Sequence, residues 1–211
     1  METEKDLTAE RSLEIIRQSI EQSRRAVMKN SGTPMLIWGV LVFCTALVVG
    51  HLWEHAGGPK WNLLWFVMTI VGFAANYWVD KKHEHHPTGF VGKAIGYVWI
   101  SFAIFALAIP LSTIIVDLCT DTTSANCGYQ VFFQILTAIE ILLMGICATI
   151  SGYILNNKII VICGIISGIG GLWLASFING GSQMLVLAGV AILTLIIPGL
   201  VMNRQSKRAS L

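Results

Sequence analysis

Residues able to do chemistry are few in this chain, and they fall into three sets. The stretch DKKHEHHP, residues 80 to 87, gathers three of the five histidines, and HLWEH places His51 and His55 one helical turn apart. His83, His85 and His86, flanked by Asp80 and Glu84, offer imidazole and carboxylate donors of the kind that bind Zn²⁺ or Ni²⁺. His51 and His55 supply only two ligands from one helix face, so a complete site there needs donors from another loop. The HxHH spacing is not that of a closed structural site. The other reading of 80–87 is a solvated turn ended by Pro87, and both readings stay open here.

The second set centres on Glu140, an acid in the middle of an apolar segment. Thr137, Met144, Cys147 and Ser151 recur at helical spacing around it, which makes one mildly polar face. An acid at that depth costs several kcal/mol and turns towards the interior of a helix bundle. One reading is a proton- or cation-binding carboxylate in a small transporter, or the polar anchor of a ligand pocket. The other is a neutral carboxylic acid hydrogen-bonded to a neighbouring helix. The third set is Cys119 and Cys127, which bracket CTDTTSANC, a loop without Lys or Arg. Placed outside the cytoplasm, the two would either form a disulfide that stabilises the short loop by roughly 2–3 kcal/mol or remain two free thiols. Cys44, Cys147 and Cys163 lie within apolar segments and read as small packing residues. No HExxH, GxSxG, P-loop or CxxC pattern is present. Nothing argues for an enzyme, and no cofactor is implied beyond the divalent metal that either histidine cluster would take.

The elements that must position these residues are membrane helices. The 211 residues are 55% hydrophobic and only 12% charged, whereas a soluble domain carries about a quarter charged residues. The apolar residues form six blocks near bilayer length: Pro34 to Leu52, Trp61 to Val79, Gly92 to Leu118, Tyr129 to Leu155, Ile159 to Ile178 and Met184 to Met202. The expectation is an all-α, six-helix transmembrane domain over residues 34–202, between a cytoplasmic N-terminal segment (1–33) and a cytoplasmic tail (203–211). A charged stretch precedes the first block and no small-residue cleavage pattern follows it, so that block reads as an anchor and not a signal peptide.

Lys and Arg set the orientation. Thirteen lie before the first block, in the second and fourth gaps or in the tail, and only Lys60 lies on the other side. By the positive-inside rule both ends are cytoplasmic. His51 and His55 then face away from the cytoplasm while His83, His85 and His86 face it. A hydrocarbon core of about 30 Å separates the two clusters, so they cannot share one metal. A net charge of +2 gives no reason to expect nucleic acid as a partner.

Residues 7–29 read as an amphipathic cytoplasmic helix. Leu13, Ile16, Ile20 and Val27 recur at three- and four-residue steps with Ser23 in the remaining place, and Glu21 to Arg25 is a favourable i,i+4 pair. The stripe is narrow and lacks Trp and Phe, which favours packing on the bundle or on a protein partner over lying in the lipid surface. The second, fourth and sixth blocks end NYWVDK, GYILNN and GLVMNR. This similarity suggests three helical hairpins repeated about an axis along the membrane normal, or merely the common habit of closing a span with bulky residues and a polar cap. Gly164 with Gly168, and Ser167 with Gly171, predict close helix packing. Pro110 and Pro198 predict kinks. Asn76, Asp80, Asp117 and Asn179 read as polar residues at the interface, and the seven tryptophans read mostly as an aromatic belt.

The strings SIEQSRRAV, GTPMLIWG and LIIPGLVMNR resemble a group of uncharacterised small multi-pass membrane proteins of Bacteroidetes-type bacteria. The likeness covers the N-terminal helix, the first span and the tail, and implies a bacterial inner-membrane setting without an activity. Two functions of different class follow from the residues. One is a non-enzymatic accessory or sensory protein that presents residues 7–29 and the HEHH loop to a cytoplasmic partner. The other is a small transporter or channel for protons, cations or a small solute that uses Glu140.

Overall fold

The computed structural model describes residues 2–30, 32–56, 59–82, 89–119 and 127–209, and among them every regular element is helical. In chain order these are α1 (Glu2–Asn30), α2 (Gly32–His55), α3 (Leu64–Lys82), α4 (Phe90–Cys119), α5 (Cys127–Leu155), α6 (Lys158–Phe177), α7 (Gln183–Ala191) and α8 (Ile197–Ala209). A 3₁₀ turn leads into α3 and another into α7, and a π-helical turn at Ile192–Ile196 joins α7 to α8 as one rod. Six segments are long and apolar enough to cross a membrane: Gly32–His55, Lys60–Val79, Phe90–Ser112, Ile135–Leu155, Lys158–Phe177 and Gly180–Gln205. They correspond one for one to the six expected blocks. An even number of crossings puts α1 and the end of α8 at one face, the terminal face, and these two helices touch there. The outer surface is apolar, with Ile70, Ile104 and Trp173 each about two-thirds exposed, as helices solvated by lipid require.

The tightest pair is α5 with α6, and its cause is glycine. A Cβ on Gly145 would collide with the backbone of Gly168 and lie 2.9 Å from the carbonyl oxygen of Gly164, and one on Gly164 would lie 2.7 Å from the amide of Thr149. The small residues expected on α6 are therefore in contact, and their partners on α5, Gly145 and Gly152, complete the seam. Between the two helices the dipeptide Asn156-Asn157 makes the turn. Asn156 takes φ +54°, a left-handed conformation that asparagine tolerates, and Asn157 Oδ1 accepts from the amide of Ile159 at 3.1 Å to cap α6. This pair joins the second expected hairpin to the third, so the closest packing does not fall within one hairpin.

The two in-span prolines behave differently. Pro110 stays inside a continuous α4. Pro198 follows the π turn Ile192–Ile196, a local widening that accommodates the clash a proline ring makes with the carbonyl four residues back. Pro34 sits in the first turn of α2, where a missing N–H costs nothing.

α1 is longer than expected and divides into two parts. Its last third docks on the terminal face, where Val27 is buried, Ser23 Oγ accepts from the amide of Val91 at 3.1 Å and Arg24 Nε donates to the carbonyl of Ile154 at 3.1 Å. Glu21 pairs with Arg24 and Arg25, each at 3.2 Å. Residues 10–20 are all exposed, including Leu13, Ile16 and Ile20. The single stripe seen in the sequence is thus half docked and half bare.

Candidate functional site

α3 and α4 touch each other sparsely, and the space behind them is an intramembrane chamber of about 440 Å³. That is within the range of small-molecule sites, roughly 300–1,000 Å³. Every helix except α6's middle and last turns contributes to its wall: Val27 and Met202 lie at the terminal-face end, and Trp65, Leu107, Glu140 and Leu187 lie at the deep end. The wall is largely apolar. Its fixed polar groups are few, since Thr69 Oγ1 donates to the carbonyl of Trp65 at 2.8 Å and Trp99 Nε1 donates to Ser151 Oγ at 3.1 Å. Asn76 Oδ1 is the exception, a buried oxygen with no hydrogen-bond partner. A buried acceptor left unpaired costs about 1–3 kcal/mol.

The predicted polar face of α5 is present but serves three surroundings. Glu140, Met144 and Ser151 line the chamber. Thr137 is buried and, with Glu140, lines a second, smaller cavity with Asn62 and Trp53 towards the far face. Cys147 turns to α4, with its Sγ 3.9 Å from the carbonyl of Val98. Glu140 and Trp65 are the two residues common to both cavities and form the partition between them. The ion pairs among the described residues all involve Glu21, so no basic side chain among them reaches Glu140.

His51 and His55 stack with ring centroids 4.4 Å apart, and His55 Nδ1 lies 2.9 Å from the carbonyl oxygen of His51. Neighbouring Glu54 accepts from Ser182 Oγ at 2.6 Å, which draws the carboxylate towards the start of α7. No three His, Cys, Asp or Glu side chains gather among the described residues. His83, His85 and His86 lie outside the described residues, as do the side chains of Cys119 and Cys127, and with them the expected disulfide.

Sequence reasoning passed over two features of the site. Asn76 reads as interfacial because only three residues separate it from the end of its span, yet it lines the chamber. Trp38, Trp65 and Trp99 read as belt residues, yet they too form chamber wall, with Trp38 edge-on to Phe73 at 5.4 Å. No family model matches the chain, and no curated protein or solved structure is similar to it.

Proposed function

We propose that the chain is a non-enzymatic accessory or sensory protein of a bacterial inner membrane, with both ends cytoplasmic and α1 as the part that meets a protein partner. The observation that carries this is the division of α1. Its docked end lines the chamber through Val27, caps α4 through Ser23 and holds α5 through Arg24. Its other end leaves Leu13, Ile16 and Ile20 bare. A helix wired to an intramembrane cavity at one end and unsatisfied at the other is suited to report the state of that cavity. The charge bias and the resemblance at the N-terminal helix support the cytoplasmic placement. The test is co-purification in mild detergent of the wild-type protein and of a Leu13→Glu/Ile16→Glu/Ile20→Glu variant. A partner lost only in the variant supports the reading, and a partner retained by it removes α1 as the contact face.

A second reading, transport of protons, cations or a small solute, is favoured by one specific observation. Glu140 stands between the chamber and a far-face cavity of about 20 Å³, room for about one water, an arrangement that supports passing a proton or a small ion by way of its carboxyl group. Purified protein in liposomes should then move protons or a cation, and Glu140→Gln should abolish the flux. Unchanged flux in that variant takes Glu140 out of the mechanism.

A further inference from the structure

The small cavity on the far-face side of Glu140 has room for about one water, at about 20 Å³. A buried water needs about two to four polar partners, and three side chains that line this space, Asn62, Thr137 and Glu140, can supply them. Asn62 is only 6% exposed, and its side chain makes no hydrogen bond among the described residues. A buried amide group left unpaired costs about 1–3 kcal/mol, and a water beside it in the cavity removes that cost. The cavity lies under the 3₁₀ turn Pro59–Leu63, whose Lys60 is exposed two positions before Asn62.

Of the residues that line this cavity and the chamber, Glu140 alone is titratable. The titratable residues that α2 and the 3₁₀ turn bring to this end, His51, Glu54, His55 and Lys60, are exposed and line neither space. Among the described side chains, α3, α4, α5 and α7 bring no other to it.

Size and donor set choose among a solute, a metal cation and a proton. A solute, or an ion that keeps its hydration shell, is larger than one water. A bare hard cation takes about six oxygen ligands. The side chains here offer at most four oxygens, two from Glu140 and one each from Asn62 and Thr137. A proton needs only the carboxylate and a water beside it. The water gives a proton to a carboxylate oxygen of Glu140 and takes one from far-face solvent. Two O–H bonds form as two break, and the water is regenerated; release runs the same steps backwards.

We infer that Glu140 exchanges a proton with the far face through one water held by Asn62 and Thr137, and that neither a metal cation nor a solute shares the site. This deepens the transport reading by naming its species, and rests on that reading only for net movement across the membrane.

Full-length protein in nanodiscs is followed by infrared difference spectroscopy through the C=O stretch of the protonated Glu140 carboxyl group, identified by its loss in Glu140→Gln. The band should grow and fade with pH at a midpoint that is the same in NaCl, KCl and choline chloride. After a pH jump its rate should fall about tenfold in Asn62→Leu, the effect of one lost hydrogen-bond partner. Asn62→Ser keeps a hydroxyl for the water and should stay within about threefold of the wild type. Gly96 lines the chamber, and a Cβ there meets nothing within 4 Å. Gly96→Leu therefore grows into the chamber and should leave the rate within about twofold. A band that ignores pH, or a midpoint displaced by Na⁺ or K⁺, overturns the proposal. So does a rate that Asn62→Leu leaves unchanged, or one that Gly96→Leu slows more, since the proton would then arrive by way of the chamber. If Asn62→Leu does not fold, Thr137→Val takes its place with the same expected loss, and the comparison of salts on the wild type still decides. Asn62-dependent exchange in a protein that moves no protons in liposomes would refute the transport reading and leave this assignment standing. Proton flux abolished by Glu140→Gln but untouched by Asn62→Leu would do the reverse.

Discussion

Replacing Ser23 with alanine removes a hydroxyl that sits 3.1 Å from the amide nitrogen of Val91. That amide belongs to the first turn of α4, where no carbonyl of the same helix can pair with it. Ser23 and Val91 are 9% and 4% exposed, so water does not readily take the place of the lost oxygen. Loss of a cap costs about 1 kcal/mol, within a range of roughly 0.5–2, and a buried donor left unpaired costs about 1–3. Taking about 1.4 kcal/mol where the ranges overlap, the equilibrium between docked and undocked α1 shifts about tenfold. Alanine is the better helix former, so weakened helicity of α1 cannot account for the change. Hydrogen exchange by mass spectrometry in nanodiscs reads it directly. Protection of the amides around Val91 and of residues 22–28 should fall about tenfold, while the glycine seam of α6 should not change. Ser19→Ala, on the exposed part of the same helix, serves as the control. If protection at Val91 stays within twofold of the wild type in Ser23→Ala, the contact does not hold α1 to the chamber wall and the coupling argument fails.

Gly145→Ala should destabilise the protein by about 2 kcal/mol or more, because the added carbon meets the backbone of Gly168 and neither helix can yield by turning a side chain. Gly170→Ala, which meets open space, should be neutral or stabilise by up to about 1 kcal/mol, and equal denaturation midpoints for the two in detergent would refute the seam. Asn157→Ala should cost about 1 kcal/mol through the lost cap on α6, whereas Asn156→Gly should cost little, because glycine takes the left-handed conformation freely. Thermal unfolding midpoints separate these outcomes. The Leu13→Glu/Ile16→Glu/Ile20→Glu variant should unfold within about 0.5 kcal/mol of the wild type, since those side chains are exposed. A large drop would mean that they are covered in the assembled protein.

Much of the architecture was legible because lipid imposes it. Each span must be a helix of bilayer length, so Pro34 to Leu52 or Ile159 to Ile178 could be recognised from apolar run length alone. The packing of Gly164 and Gly168 was legible for a related reason, since small residues four apart are what let two membrane helices touch. What a sequence cannot state is what stands opposite a helix face. Glu140, Cys147 and Ser151 share one face of α5, yet they meet a partition, the backbone of α4 and a tryptophan. Asn76 shows the same limit. Its position near a span end is correct, but that its oxygen is buried without a partner depends on how the whole bundle packs. The π turn before Pro198 was likewise only half visible. The proline announced a missing donor, and how the chain absorbed it depended on what packs around Ile192–Ile196.

The bare part of α1 also has a mechanical meaning. From Ser23, where it meets α4, back to Glu2 the helix is continuous, a rod of about 30 Å at the helical rise. Rotation of such an arm by about 10° carries its free end about 5 Å. A displacement of the chamber wall too small to open or close anything within the membrane would arrive at the tip of α1 as a change of position that a protein surface can distinguish. In the sensory role proposed above, these proportions would make the helix a lever, with its short arm docked on the terminal face and its long arm free of that contact.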